Sequence, residues 1–106
     1  MKNGRRWSAY RAYLHPAMQR PNLTVWTGAR VHQILLDKNR ATGVRVDHQG
    51  QLKDVHADLT ILSSGAVQSP QLLLLSGIGA APELEQQGIE VKHDLVGVGK
   101  NLIDHL

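Results

Sequence analysis

The side chains able to do acid–base work in this 106-residue chain are six histidines: His15, His32, His48, His56, His93 and His105. An imidazole suits proton transfer because its ordinary pKa lies close to working pH. None of the six stands at metal-ligand spacing from another histidine or a carboxylate cluster, so no metal site is expected. Cysteine is absent, which excludes disulfides, thiolate metal ligands and a cysteine nucleophile. The glycines offer a different chemistry. In residues 64–79, Ser64-Gly65-Ala66 precedes Ser69-Pro70, a leucine-rich run and Ser76-Gly77-Ile78-Gly79. Small residues at 64–66 let a ligand approach the backbone closely, and a helix opening at Ser69-Pro70 holds its free N–H groups near that turn. An anionic group fits such a place. Tight strand–helix packing asks for the same small residues, so spacing alone leaves both readings open.

The elements that must position this block follow from periodicity and breakers. A strand is expected over 59–63, where Leu59-Thr60-Ile61-Leu62 is more continuously apolar than the alternating Val44-Arg45-Val46-Asp47, as expected of a strand covered on both faces. Ser69 as cap, Pro70 at the first helical position and Gly77 as stop predict a helix over 70–76. A second, short helix is expected over 82–87, with Glu83 and Glu85 at the positive end of its dipole and Gly88 after it. Upstream, Tyr10, Tyr13, Leu14, Ala17 and Met18 recur at helical spacing, and that helix should end or kink before Pro16. Pro21-Asn22 breaks the chain ahead of a short strand over 23–27. Further strands are expected over 31–36, 43–47 and 52–56. The last two are joined by a His48-Gln49-Gly50-Gln51 hairpin turn. A strand-like stretch begins the tail at Ile89.

Length permits at most one domain, and 42% hydrophobic with 20% charged residues is ordinary for a folded protein. No apolar run is long enough to span a membrane, and the basic start has no apolar segment behind it, so it is not a secretory signal. The absence of cysteine fits a reducing compartment; a cytoplasmic location is expected, with a peripheral membrane position open for a longer protein. The formal charge of +3 is uneven. Lys2, Arg5, Arg6, Arg11, Arg20 and Arg30 precede the first carboxylate, Asp37. Such an arm reads as a solvated face, or a surface meeting other parts of a larger protein. A module that binds nucleic acid or a protein partner is the alternative. No nucleic-acid motif supports it, so no nucleic acid is expected.

The run Gly65-Ala66-Val67-Gln68-Ser69-Pro70-Gln71-Leu72-Leu73-Leu74-Leu75-Ser76-Gly77-Ile78-Gly79 resembles the second sequence signature of the glucose–methanol–choline (GMC) oxidoreductases. Every required position of that signature is filled. Arg20-Pro21-Asn22-Leu23-Thr24-Val25, Thr27-Gly28-Ala29-Arg30-Val31, Ala41-Thr42-Gly43-Val44 and Gly97-Val98-Gly99-Lys100-Asn101-Leu102-Ile103-Asp104-His105 are similar to the family in the family's order. The nearest flavour is choline dehydrogenase-like.

The resemblance implies an α/β fold class with α+β content in this piece. It would be the later part of a FAD-binding, Rossmann-like domain with an inserted β-meander. Residues 1–106 would be part of that domain, with the substrate domain absent. The implied function is FAD-dependent oxidation of the CH–OH group of a primary alcohol, choline-like or other, with hydride transfer to flavin. FAD is the implied cofactor. Val31 is expected to meet its adenine through the backbone, and Ser64, Gly65 and Ala66 to face it at the turn. His105 is expected to border the substrate cavity. The family's catalytic His–His or His–Asn pair has no counterpart here. Neither Gly77-Ile78-Gly79 nor Gly97-Val98-Gly99 completes the Gly-x-Gly-x-x-Gly unit that holds a pyrophosphate. The chain is therefore expected to supply part of a cofactor cradle, to be inactive alone, and to self-associate through open strand edges.

Overall fold

The computed structural model describes Met1 and residues 3–105; Lys2 of the basic arm and the terminal Leu106 lie outside the described residues. A π-helical turn, Tyr10–Leu14, runs into a short α1 (His15–Ala17). The helix is expected to end or kink before Pro16; it changes from π to α at His15, and Pro16 lies inside α1. Proline cannot donate to the carbonyl four residues back. The chain meets that loss with a wider turn, in which the His15 N–H reaches the Tyr10 carbonyl.

The meander is β1 (Ala29–Asp37), β2 (Arg40–His48) and β3 (Gln51–His56), antiparallel and in sequential order. Its register follows from its turns. His48 pairs with Gln51 across a two-residue loop in which Gln49 and Gly50 both have positive φ. That backbone matches the twist of the flanking strands. β1 is irregular: pairing shifts between Val31 and Gln33, leaving His32 out of the ladder. A second shift, between Leu35 and Leu36, leaves Thr42 of β2 unopposed, and its hydroxyl donates to the Leu35 carbonyl at 3.3 Å. Such bulges bend a strand and re-aim its side chains.

Next come α2 (Gly65–Leu75), β4 (Ile78–Gly79), α3 (Ala81–Gln86) and β5 (His93–Asp94), with β4 and β5 paired in parallel. The helix begins earlier than Ser69-Pro70 suggested, and Pro70 lies within it. Ser69 does satisfy a backbone donor, but from inside the helix: its Oγ accepts the Ser64 N–H at 2.9 Å.

Two expected strands are not formed. Residues 23–27 and 59–63 pair with no strand among the described residues. Leu59 and Ile61 are 75% and 78% exposed. An apolar run becomes a strand only where a neighbour completes its ladder and covers its faces. The buried apolar residues lie instead on β1 and β2 (Ile34, Val46), on α2 and α3 (Leu72, Leu84), just before α3 (Ala80) and in the tail (Val98), with α2 packed against β1 and β4.

Candidate cofactor-facing site

Helix α2 lies against β1, and a cavity of about 480 Å³ opens between them along the helix, from Ser64 to Leu75. Ala29, Arg30, Val31 and His32 form its strand wall; Ser64, Gln68, Gln71, Leu72 and Leu75 form its other wall. The fold thus brings together Val31 and Ser64, which are 33 positions apart in the sequence. The β1 bulge at His32 lies in this wall.

The lining carries the cation Arg30 and no carboxylate. The helix N-terminus adds the same sign of potential. At Gly65, Ala66 and Val67 the backbone N–H groups have no acceptor within the helix, and the helix dipole is positive there. The Ser64 N–H is already taken by Ser69, so it is not one of the free donors. Gly65 has φ +89°, and a β-carbon on it would meet no atom within 4 Å. Open space therefore lies directly against exposed backbone. Ala66 lies on the other flank of the helix, in a cavity of about 560 Å³ shared with Pro70, Gly99, Lys100 and Asn101. An anionic group fits the N-terminal end of this arrangement. A pyrophosphate is one such group, because unpaired amides at a helix N-terminus point at an anion and the dipole favours negative charge there.

The histidines are dispersed. His105 is exposed, lines neither cavity, and is accompanied by Asp104 at 3.2 Å. His48 stacks on Trp26 with ring centroids 4.7 Å apart, and Lys53 lies over the same indole. His15 meets Tyr10 edge-on. His56 Nδ1 lies 3.3 Å from the Thr42 carbonyl oxygen. No described hydrogen bond links two histidines. Among the described residues no group of three His, Cys, Asp or Glu side chains is placed to hold a metal ion. Nor is any helix among them long and apolar enough to cross a membrane.

The opposite end of α2 holds what the sequence reading passed over. Ser76 is 2% exposed. Its Oγ accepts the Ile34 N–H at 2.8 Å and donates to the Leu72 carbonyl at 2.6 Å. A buried hydroxyl needs both partners, and here it has them. Gly77 follows with φ +82°, and a β-carbon there would overlap the Glu90 carbonyl oxygen. A β-carbon on Gly79 would likewise overlap the Leu74 side chain. A serine closing a leucine-rich helix just before a glycine is the signal that could have marked this end.

The sequence pattern of the family described as GMC oxidoreductase matches residues 1–106. An oxygen-dependent choline dehydrogenase of Staphylococcus haemolyticus is 57% identical over 104 residues, covering 98% of this chain and 18% of that protein. An alcohol dehydrogenase [acceptor] of Pseudomonas putida is 50% identical over 109 residues, covering 99% of this chain and 20% of its own length. The solved structure of a FAD-dependent oxidoreductase from Chaetomium thermophilum superposes with a TM-score of 0.76 at 32% identity, over 83% of this chain and 16% of that one. The chain spans about a fifth of the length of the curated relatives it matches.

Proposed function

Because the chain belongs to the GMC oxidoreductase family, matched over residues 1–106, we propose that it supplies part of the FAD cradle of an enzyme oxidising the CH–OH group of a primary alcohol. The observation that carries this reading is the single cavity walled by the Val31 edge of β1 and the Ser64 end of α2. Family membership favours the flavin over any other anionic ligand there.

Val31 would meet the adenine through its backbone. The free amides at Gly65 and Ala66 would receive the pyrophosphate, and Arg30 would add a screened positive charge. When bound, FAD would supply the acceptor for the hydride that leaves the alcohol carbon. This chain's own part is to bind and orient. The His–His or His–Asn pair that takes the hydroxyl proton in the family has no counterpart in this chain, so that base would belong to the rest of the polypeptide. The names of the two curated relatives, a choline dehydrogenase and an alcohol dehydrogenase, support an alcohol as substrate. The alternative, a nucleic-acid or protein-binding module built on the basic arm, gains nothing from these relatives. In the structure Arg5, Arg6, Arg11, Arg20 and Arg30 are all exposed.

The test is to purify the intact polypeptide that contains this segment and record its flavin absorbance before and after anaerobic addition of a primary alcohol. The reading expects FAD at one equivalent, bleached by the alcohol. A polypeptide that stays colourless after incubation with FAD would overturn it.

A further inference from the structure

We propose that Ser76 is a positioning residue for the cofactor, fixing the separation of the two cavity walls; the inference rests on the flavin reading above. The cavity is an opening between β1 and α2, so its width depends on what ties those elements together. Among the described residues, the hydrogen bonding between them runs through Ser76. The Ile34 N–H faces away from β2 and ends on the Ser76 hydroxyl, which in turn donates to Leu72 of the helix. Leu72 itself lines the cavity. On the strand side, Ile34 lies three residues beyond Val31, just past the His32 bulge, and is itself buried. One hydroxyl therefore joins the Val31 strand to the helix whose other end carries Ser64, Gly65 and Ala66. Ser76 does not itself line the cavity, so its effect on the ligand must pass through Leu72 and the two elements it joins.

Without the hydroxyl, the Ile34 N–H is left buried and unpaired, and it regains a partner only if β1 moves or water enters. Either change alters the spacing that FAD must bridge. Replacement of a serine can also weaken a fold for purely local reasons, so the comparison must hold shape constant. Ser76→Thr and Ser76→Val add the same methyl group and differ in the hydroxyl alone. Ser76→Ala gives the simple deletion. Leu84→Ala serves as a control, because Leu84 is 2% exposed in α3 and lines neither cavity.

The experiment uses the intact polypeptide, stripped of flavin and titrated with FAD by fluorescence quenching, with the Tm of each apoprotein measured alongside. The dissociation constant is expected to rise about tenfold in Ser76→Ala, and about tenfold in Ser76→Val relative to Ser76→Thr. Leu84→Ala should lower Tm and leave FAD affinity at the unaltered level. Equal FAD affinity within the Thr and Val pair would overturn the inference. So would a loss of affinity in Leu84→Ala as large as that in Ser76→Ala, or failure of both hydroxyl-free variants to fold, because the role would then be structural only. If the unaltered polypeptide bound no FAD, the flavin reading itself would fall, a different result from FAD bound equally with and without the hydroxyl.

Discussion

The two ends of α2 belong to one sequence block and are built for opposite purposes. At its start, Gly65 and Ala66 are exposed, and the space beside Gly65 is open. At its close, Ser76 and Gly77 are buried, and Gly77 abuts the Glu90 carbonyl. Both ends use small residues. At the start smallness leaves room for something that is not protein; at the close it lets protein approach protein. A pattern of glycines in sequence cannot distinguish the two, because each asks only that a β-carbon be missing.

Substitution should separate the ends. Both Gly65 and Gly77 have positive φ, so alanine carries a backbone cost of roughly 1–2 kcal/mol at either position. At Gly77 the overlap with Glu90 comes on top, and Gly77→Ala is expected to lose roughly 3 kcal/mol or more in denaturant unfolding. At Gly65 no overlap is added, and Gly65→Ala should lose only the backbone term. If the two variants unfolded at the same denaturant concentration, the crowded-versus-open distinction would be wrong.

The cavity's strand wall gives a milder contrast. Val31 is 39% exposed and pairs with Val46. Since a backbone contact to the adenine is proposed there, Val31→Thr should leave FAD affinity nearly unchanged. A large loss on titration of that variant would mean that the side chain, not the backbone, meets the ligand.

The smallest effect belongs to the meander's surface. Arg45 makes a two-pronged contact with Asp54 at 2.7 and 2.9 Å. The hydrogen bond from Arg45 is the main cause holding the Asp54 carboxyl below its ordinary value of 3.8; desolvation opposes it, and the charges of Arg45 and His56 add to the lowering. Because the folded pKa lies below the unfolded one, this contribution is complete above the ordinary carboxylate range. It is lost as pH falls through that range to the lower folded value. Asp54→Asn should change little at neutral pH and flatten the acid side of a stability profile taken down to about pH 2. An unchanged acid limb would mean that the pair is not formed in solution.

Much of this was legible in the chain. The Gln49-Gly50 turn and the Gly77 and Gly88 stops carry local signals, because each needs a backbone conformation that few sequences supply. The family resemblance was written in residues 65–79, and the profile match and relatives bear it out. What failed did so for tertiary reasons. Residues 59–63 have the apolar run of a covered strand, yet no neighbour pairs with them. Ser69-Pro70 has the local grammar of a helix start, and the helix nevertheless begins at Gly65, with Ser69 bonded backwards to Ser64. Ser76 went unnoticed because its partner, the Ile34 N–H, is 42 positions away. Nothing in a single sequence marks such a pairing.

The most direct test of the contrast between the ends is the FAD affinity of intact polypeptide carrying Gly65→Ala, read beside the Tm of its apoprotein. The account predicts that the dissociation constant rises about tenfold or more, since a methyl group would fill the space proposed for the ligand, while Tm falls only modestly. FAD bound as tightly as by the unaltered polypeptide would contradict it.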